Sequence, residues 1–108
     1  MPVDTSSFGR AIASARKELR LSQKELAGKI LKEEGDPITP QYLNDIEHDK
    51  RTPSSDHLVK QFAAELKISP DVLYSLAGRV PGDITTAGRS PETINRAFTA
   101  FRRVLRDK

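Results

Sequence analysis

SQKELAGKI (Ser22–Ile30) and ITPQYLNDIEHDKRTPS (Ile38–Ser54) each carry a helix-starting signal, and each is followed by a break. Ser22 and Glu25 form an S-x-x-E capping box, in which hydroxyl and carboxylate satisfy each other's orphan backbone amides. The helix it opens places Leu26 and Ile30, with Leu31 beside them, on its apolar side. Gly35-Asp36-Pro37 is a turn cluster that must end it. Thr39-Pro40 is a cap followed by proline at the first helical position, where the missing N–H costs nothing. Leu43 and Ile46 then face inward, and Thr52-Pro53-Ser54 breaks the chain again. Two short helices therefore lie close together in sequence.

The same periodicity extends outward on both sides. Phe8, Ile12, Ala15 and Leu19 step by four, three and four after a Ser6/Ser7 start, which predicts a first helix with one apolar stripe. Ser55–Ile68 presents Leu58, Phe62 and Leu66 on one face, with Val59 and Ala63 alongside. Ser69-Pro70-Asp71 repeats the cap-plus-proline signature, and Gly78 is the expected C-terminal stop of that fifth helix. GRVPGDITTAG (79–89) has no period and reads as a linker. Ser90-Pro91-Glu92 opens a sixth helix to about Arg106. The expected fold is all-α: a five-helix domain over 1–78, a linker over 79–89, and an amphipathic helix within 90–108.

Composition excludes several classes. The 108 residues contain no cysteine, so disulfide scaffolds, thiolate–zinc sites and thiol nucleophiles are out. No apolar run approaches the roughly 20 residues of a membrane span. The start, MPVDTSSFGR, lacks the basic and apolar regions of a secretory signal, which predicts a cytoplasmic location. With four Phe, two Tyr and no Trp, the core must come mostly from aliphatic side chains. The net charge is +3, but residues 1–78 carry 11 basic against 12 acidic groups while 79–108 carry 7 against 3. A pI near 9.4 permits a polyanionic partner without naming one.

The ordered set Arg16, Ser22-Gln23, Leu26-Ala27, Leu43, Ile46-Glu47 and Arg51-x-Pro-Ser resembles the helix-turn-helix of the phage Cro/repressor-type (Xre-like) regulators, over about residues 8–78. The resemblance implies binding of double-stranded DNA, with the helix from Pro40 in the major groove and the helix from Gln23 across the backbone. The side chains brought to base edges are then Pro40, Gln41, Asn44 and Asp45. Gln and Asn can pair with adenine, Asp can accept from cytosine or exclude other bases, and proline offers only an apolar contact. Gln23 is implied as a backbone contact at a helix N-terminus, with Lys24, Tyr42, Lys50, Arg51 and Ser54 flanking the same face. Arg16 and Glu47 are implied as a partly buried ion pair that positions the reading helix. One departure is visible. Thirteen positions separate Leu26 from Thr39, more than the family's compact turn, so ILKEEGDP (30–37) either lengthens the second helix or adds a loop.

Catalysis finds no foothold. His48 and His57 are the two histidines, and there is no G-x-S-x-G, P-loop or H-E-x-x-H. No metal or cofactor is implied. The expected role is a bacterial or phage, nucleoid-associated transcriptional regulator that represses by occupying a palindromic or pseudo-palindromic operator. The alternative is an antitoxin that binds DNA and blocks a protein partner with its C-terminal segment; the protein partner expected is a toxin or an anti-repressor. Ile94, Phe98, Phe101 and Leu105 step by four, three and four, a coiled-coil-like seam that predicts homodimerisation through the last helix.

Overall fold

The computed structural model describes residues 3–107, so residues 1, 2 and 108 of the segments assigned above lie outside the described residues. Within them the chain forms α1 (Phe8–Glu18), α2 (Gln23–Lys29), α3 (Pro40–Glu47), α4 (Asp56–Leu66), α5 (Pro70–Leu76) and α6 (Pro91–Arg106). The starts follow local chemistry. Ser7, Ser22, Thr39, Ser55 and Ser90 each accept a backbone N–H of the following turn through the side-chain oxygen, and both halves of the Ser22/Glu25 box are made. Ser69 differs from the sequence expectation, because its side chain makes no cap bond and Pro70 alone marks the start of α5.

Among the described residues the core lies between Phe8 and Tyr74. Ile12, Leu26, Ile30, Leu43, Ile46, Val59, Phe62 and Leu73 are fully buried, and the Phe8 and Phe62 rings meet edge to face with centroids 6.1 Å apart. α1 packs against α3, α4 and α5, α2 lies on α3, and α4 lies on α5. The first-helix stripe is shorter than its period predicts. Ala11 and Ile12 are buried, but Leu19 caps the helix and is exposed.

The chain between α2 and α3 is a loop, which settles the choice left open by the spacing. α2 stops at Lys29, and Leu31 and Pro37 form an isolated antiparallel bridge. Lys32 N–H donates to the Asp36 carbonyl at 2.8 Å, and Gly35, at φ 102°, makes the reversal. Ile30 and Ile38 are buried and joined by a 2.9 Å backbone bond from Ile38 N–H. The five residues between the bridge partners (32–36) are exposed above a pinned base, so α3 starts from a fixed point despite the extra length. Leu31 is exposed rather than part of the α2 stripe, and its N–H and C=O are held by Gln61 Oε1 (3.1 Å) and His57 Nε2 (2.9 Å) of α4.

At the other boundary, Arg79 belongs with the domain rather than the linker. Its guanidinium donates to Asp56 Oδ1 at 3.0 Å and to the carbonyl of the buried Pro53 at 3.1 Å, tying the end of α5 to the α3–α4 loop. No helix among the described residues is long and apolar enough to cross a membrane.

Candidate nucleic-acid interface

α3 begins at the pinned loop and presents its first turns to solvent. Pro40 and Gln41 are exposed, Asn44 and Asp45 are half-buried, and Leu43, Ile46 and Glu47 are buried beneath them. The sequence therefore divides α3 into an anchoring face and a presenting face. The presenting face is ordered by two hydrogen-bonded groups.

The first group runs from the domain interior to the surface. Arg16 Nε and Nη2 donate to the two carboxylate oxygens of Glu47 at 2.7 and 3.0 Å, and Arg16 Nη1 donates to the Leu21 carbonyl at 2.9 Å. Gln23 Nε2 then donates to Glu47 Oε1 at 3.0 Å and to Asn44 Oδ1 at 3.1 Å. Gln23, from the first turn of α2, is thus bonded directly to the presenting face of α3. Both its amide protons are engaged, and Gln23 is half-buried between the exposed Ser22 and Lys24. A bidentate arginine–carboxylate pair fixes direction as well as distance, so α1, α2 and α3 are locked in one relative orientation.

The second group lies at the rim. Gln41 Nε2 donates to Asp45 Oδ1 at 3.0 Å, one helical turn on. Asp45 Oδ2 is 3.5 Å from Arg51 Nε, and the Arg51 guanidinium sits over the Tyr42 ring at 5.6 Å from its centroid. The structure thus engages Asp45 with two neighbours. Lys24 and Lys50 are exposed, and Ser54 lines a groove together with Tyr42, Arg51 and Lys32, Glu33 and Glu34 of the loop. Ile94, Phe98, Phe101 and Leu105 are on α6, which buries none of its residues.

Sequence reasoning missed Asp49. Its backbone takes the left-handed conformation, φ 59°, and its carboxylate accepts Gly9 N–H at 2.9 Å and the Ser7 hydroxyl at 2.6 Å, capping α1 from the end of α3. Gly9 permits the approach, since a Cβ there would collide with the Ile46 carbonyl and lie 2.6 Å from that of Glu47. The only local hint was an aspartate in a short polar run after a helix; its partners are 40 and 42 residues away.

The pKa of Glu25 is held below the ordinary glutamate range, first by the Ser22 backbone N–H and then by the Ser22 hydroxyl. That keeps the carboxylate charged at the α2 N-terminus, next to Gln23.

A family model described as a helix-turn-helix domain matches residues 9–79. No curated protein and no solved structure matches the chain. The matched span takes in α1 from its second residue, α2 to α5, the loop between α2 and α3, and Arg79, and it excludes α6.

Proposed function

Because the chain belongs to the helix-turn-helix domain family, we propose that it is a sequence-specific DNA-binding transcriptional regulator of the Cro/repressor (Xre-like) type. The observation that carries this reading is the α2–α3 pair. The first turns of α3 carry the exposed Gln41 and the half-buried Asn44, and a bonded chain from Arg16 through Glu47 and Gln23 holds them in place. In this reading α3 enters the major groove, with Pro40, Gln41, Asn44 and Asp45 at or beside base edges. Gln23 and the amides at the start of α2 meet a phosphate, and Lys24, Tyr42, Lys50, Arg51 and Ser54 line the flanking backbone. The role is binding alone, without catalysis, cofactor or metal. The protein acts in the cytoplasm of a bacterium or in a phage-infected cell, on nucleoid or phage DNA.

One such domain reads too few base pairs for useful selectivity, so the proposed active species is a homodimer on two half-sites about one turn (~34 Å) apart. Repression follows from occupancy of that operator. Residues 1–78 form the reading domain, with Arg79 as its last anchor, and α6 supplies the dimer contact through Ile94, Phe98, Phe101 and Leu105. α6, which has no buried residue, also suits capture of another protein, the antitoxin reading. Assays for a second bound protein separate the two.

In vitro selection of bound duplexes at stated salt tests the proposal. A site with inverted symmetry is expected, and one without it overturns the dimeric reading. Gln41→Ala should weaken the best site by roughly 1–3 kcal/mol and relax one base pair. Lys50→Ala should instead weaken all sequences alike and flatten the salt slope.

A further inference from the structure

We propose that Asp45 sets which purine Gln41 reads, selecting adenine over guanine. The inference rests on the placement of α3 in the major groove proposed above, and it assigns Asp45 the role of a positioning residue for its neighbour.

The geometry of the rim carries it. A glutamine amide offers two N–H donors on one side and a carbonyl acceptor on the other. Free to rotate, it can present a donor with an acceptor, or both donors together. A carboxylate offers acceptors, so the Asp45–Gln41 contact at 3.0 Å can form only with the amide nitrogen turned toward Asp45. One of the two protons is then consumed within the protein. What remains for a base is one donor and one acceptor.

That remainder discriminates. Adenine shows an acceptor at N7 and a donor at N6 in the major groove, whereas guanine shows acceptors at both N7 and O6. The held amide matches the first pattern and lacks the second donor that guanine calls for. Asp45 adds its own acceptor oxygens beside the same base, which further disfavours guanine. Its own position is secured from the other side. Its side chain is 18% exposed, with Arg51 at 3.5 Å, and Arg51 in turn rests on Tyr42. The rim group therefore presents Gln41 in one orientation before DNA arrives.

The test compares duplexes differing only by adenine or guanine at the base pair that Gln41→Ala relaxes. Four full-length proteins are measured: the natural protein, Gln41→Ala, Asp45→Ala and Asp45→Asn, with thermal unfolding in parallel. Asp45→Ala is expected to lower the adenine-over-guanine ratio roughly tenfold, chiefly by admitting guanine. Asp45→Asn, whose amide oxygen can still accept the Gln41 proton, is expected to keep most of the preference. If Asp45→Ala unfolds, Asp45→Ser, whose hydroxyl is too short to reach the amide, takes its place. An unchanged ratio in Asp45→Ala overturns the proposal while leaving the groove placement intact. An equal loss of affinity for every sequence overturns it too, as the signature of a merely structural residue. If Gln41→Ala relaxes no base pair, the groove placement itself falls, and the proposal with it.

Discussion

Glu47 is a buried carboxylate that accepts two bonds from Arg16 and one from Gln23. Glu47→Ala would strand the Arg16 guanidinium, whose side chain is 12% exposed, without its countercharge. Breaking one side of such a pair costs about 3–5 kcal/mol, which urea unfolding should register, together with lost DNA affinity as Gln23 and Asn44 lose their anchor. Replacing both Arg16 and Glu47 by apolar residues of similar volume should recover much of the stability but not the affinity, because the bond to Gln23 is gone. Unchanged stability in Glu47→Ala would remove the pair from any structural role. Tyr74 is the opposite case. Its hydroxyl is buried with no hydrogen-bond partner among the described residues, so Tyr74→Phe should leave the unfolding free energy unchanged or raise it by about 1 kcal/mol. A clear destabilisation would mean that the hydroxyl has a partner in solution.

Helix starts were legible because a cap is local. Ser22 and Glu25, Thr39 and Pro40, and Ser90 and Pro91 announce themselves within four residues, and the structure starts helices at each. Contacts that join elements were not legible in that way. Arg16 and Glu47 are 31 residues apart and were linked only through the family resemblance. Asp49 with Gly9, and His57 and Gln61 with Leu31, had no such guide. The loop after α2 was ambiguous for a further reason: Ile30 and Leu31 fit a longer apolar stripe equally well, and the turn at Gly35 with the backbone bonds of Lys32 to Asp36 and Ile38 to Ile30 brings the chain back. The capping box makes stability depend on acid pH. The Glu25 pKa is lowered in the folded protein by its bonds to Ser22. Its stabilisation is therefore complete above the ordinary glutamate value of about 4.3 and fades as pH falls through the lower folded value. Glu25→Gln keeps an acceptor for the Ser22 N–H but does not titrate. Its melting temperature should thus fall less steeply than that of the natural protein across this acid range; superimposable acid limbs would show that the box contributes nothing there.

For the whole molecule, the decisive division is between a packed five-helix unit and a sixth helix with nothing buried. The core residues all lie between Phe8 and Tyr74, so removing everything after Gly82 takes away no core side chain. α6 is 16 residues long, marginal for a helix standing alone in water, and it exposes Phe101 at 57%, Leu105 at 60% and Val104 at 68%. Val104, beside the Ile94–Leu105 seam, widens the apolar face beyond the four positions that the spacing picks out. Arg96, Arg102, Arg103 and Arg106 against Glu92 give the helix a positive charge, and like charges disfavour placing two copies side by side in parallel. Antiparallel pairing spreads the C-terminal arginines to opposite ends, and it is the arrangement we expect. Cutting the chain after Gly82 should leave a domain that melts cooperatively, sediments as a monomer, and binds a palindromic site far more weakly than the full chain. Affinity of the full chain should also fall steeply between ~50 and 200 mM salt, with a smaller slope for the truncated form because it makes one set of phosphate contacts at a time. Phe101→Asp in the full chain should reproduce the monomer without removing the arginines, which separates lost pairing from lost charge. A truncated protein that still sediments as a dimer would move the interface onto the five-helix unit, and a monomeric full chain would leave the apolar face of α6 for a different protein.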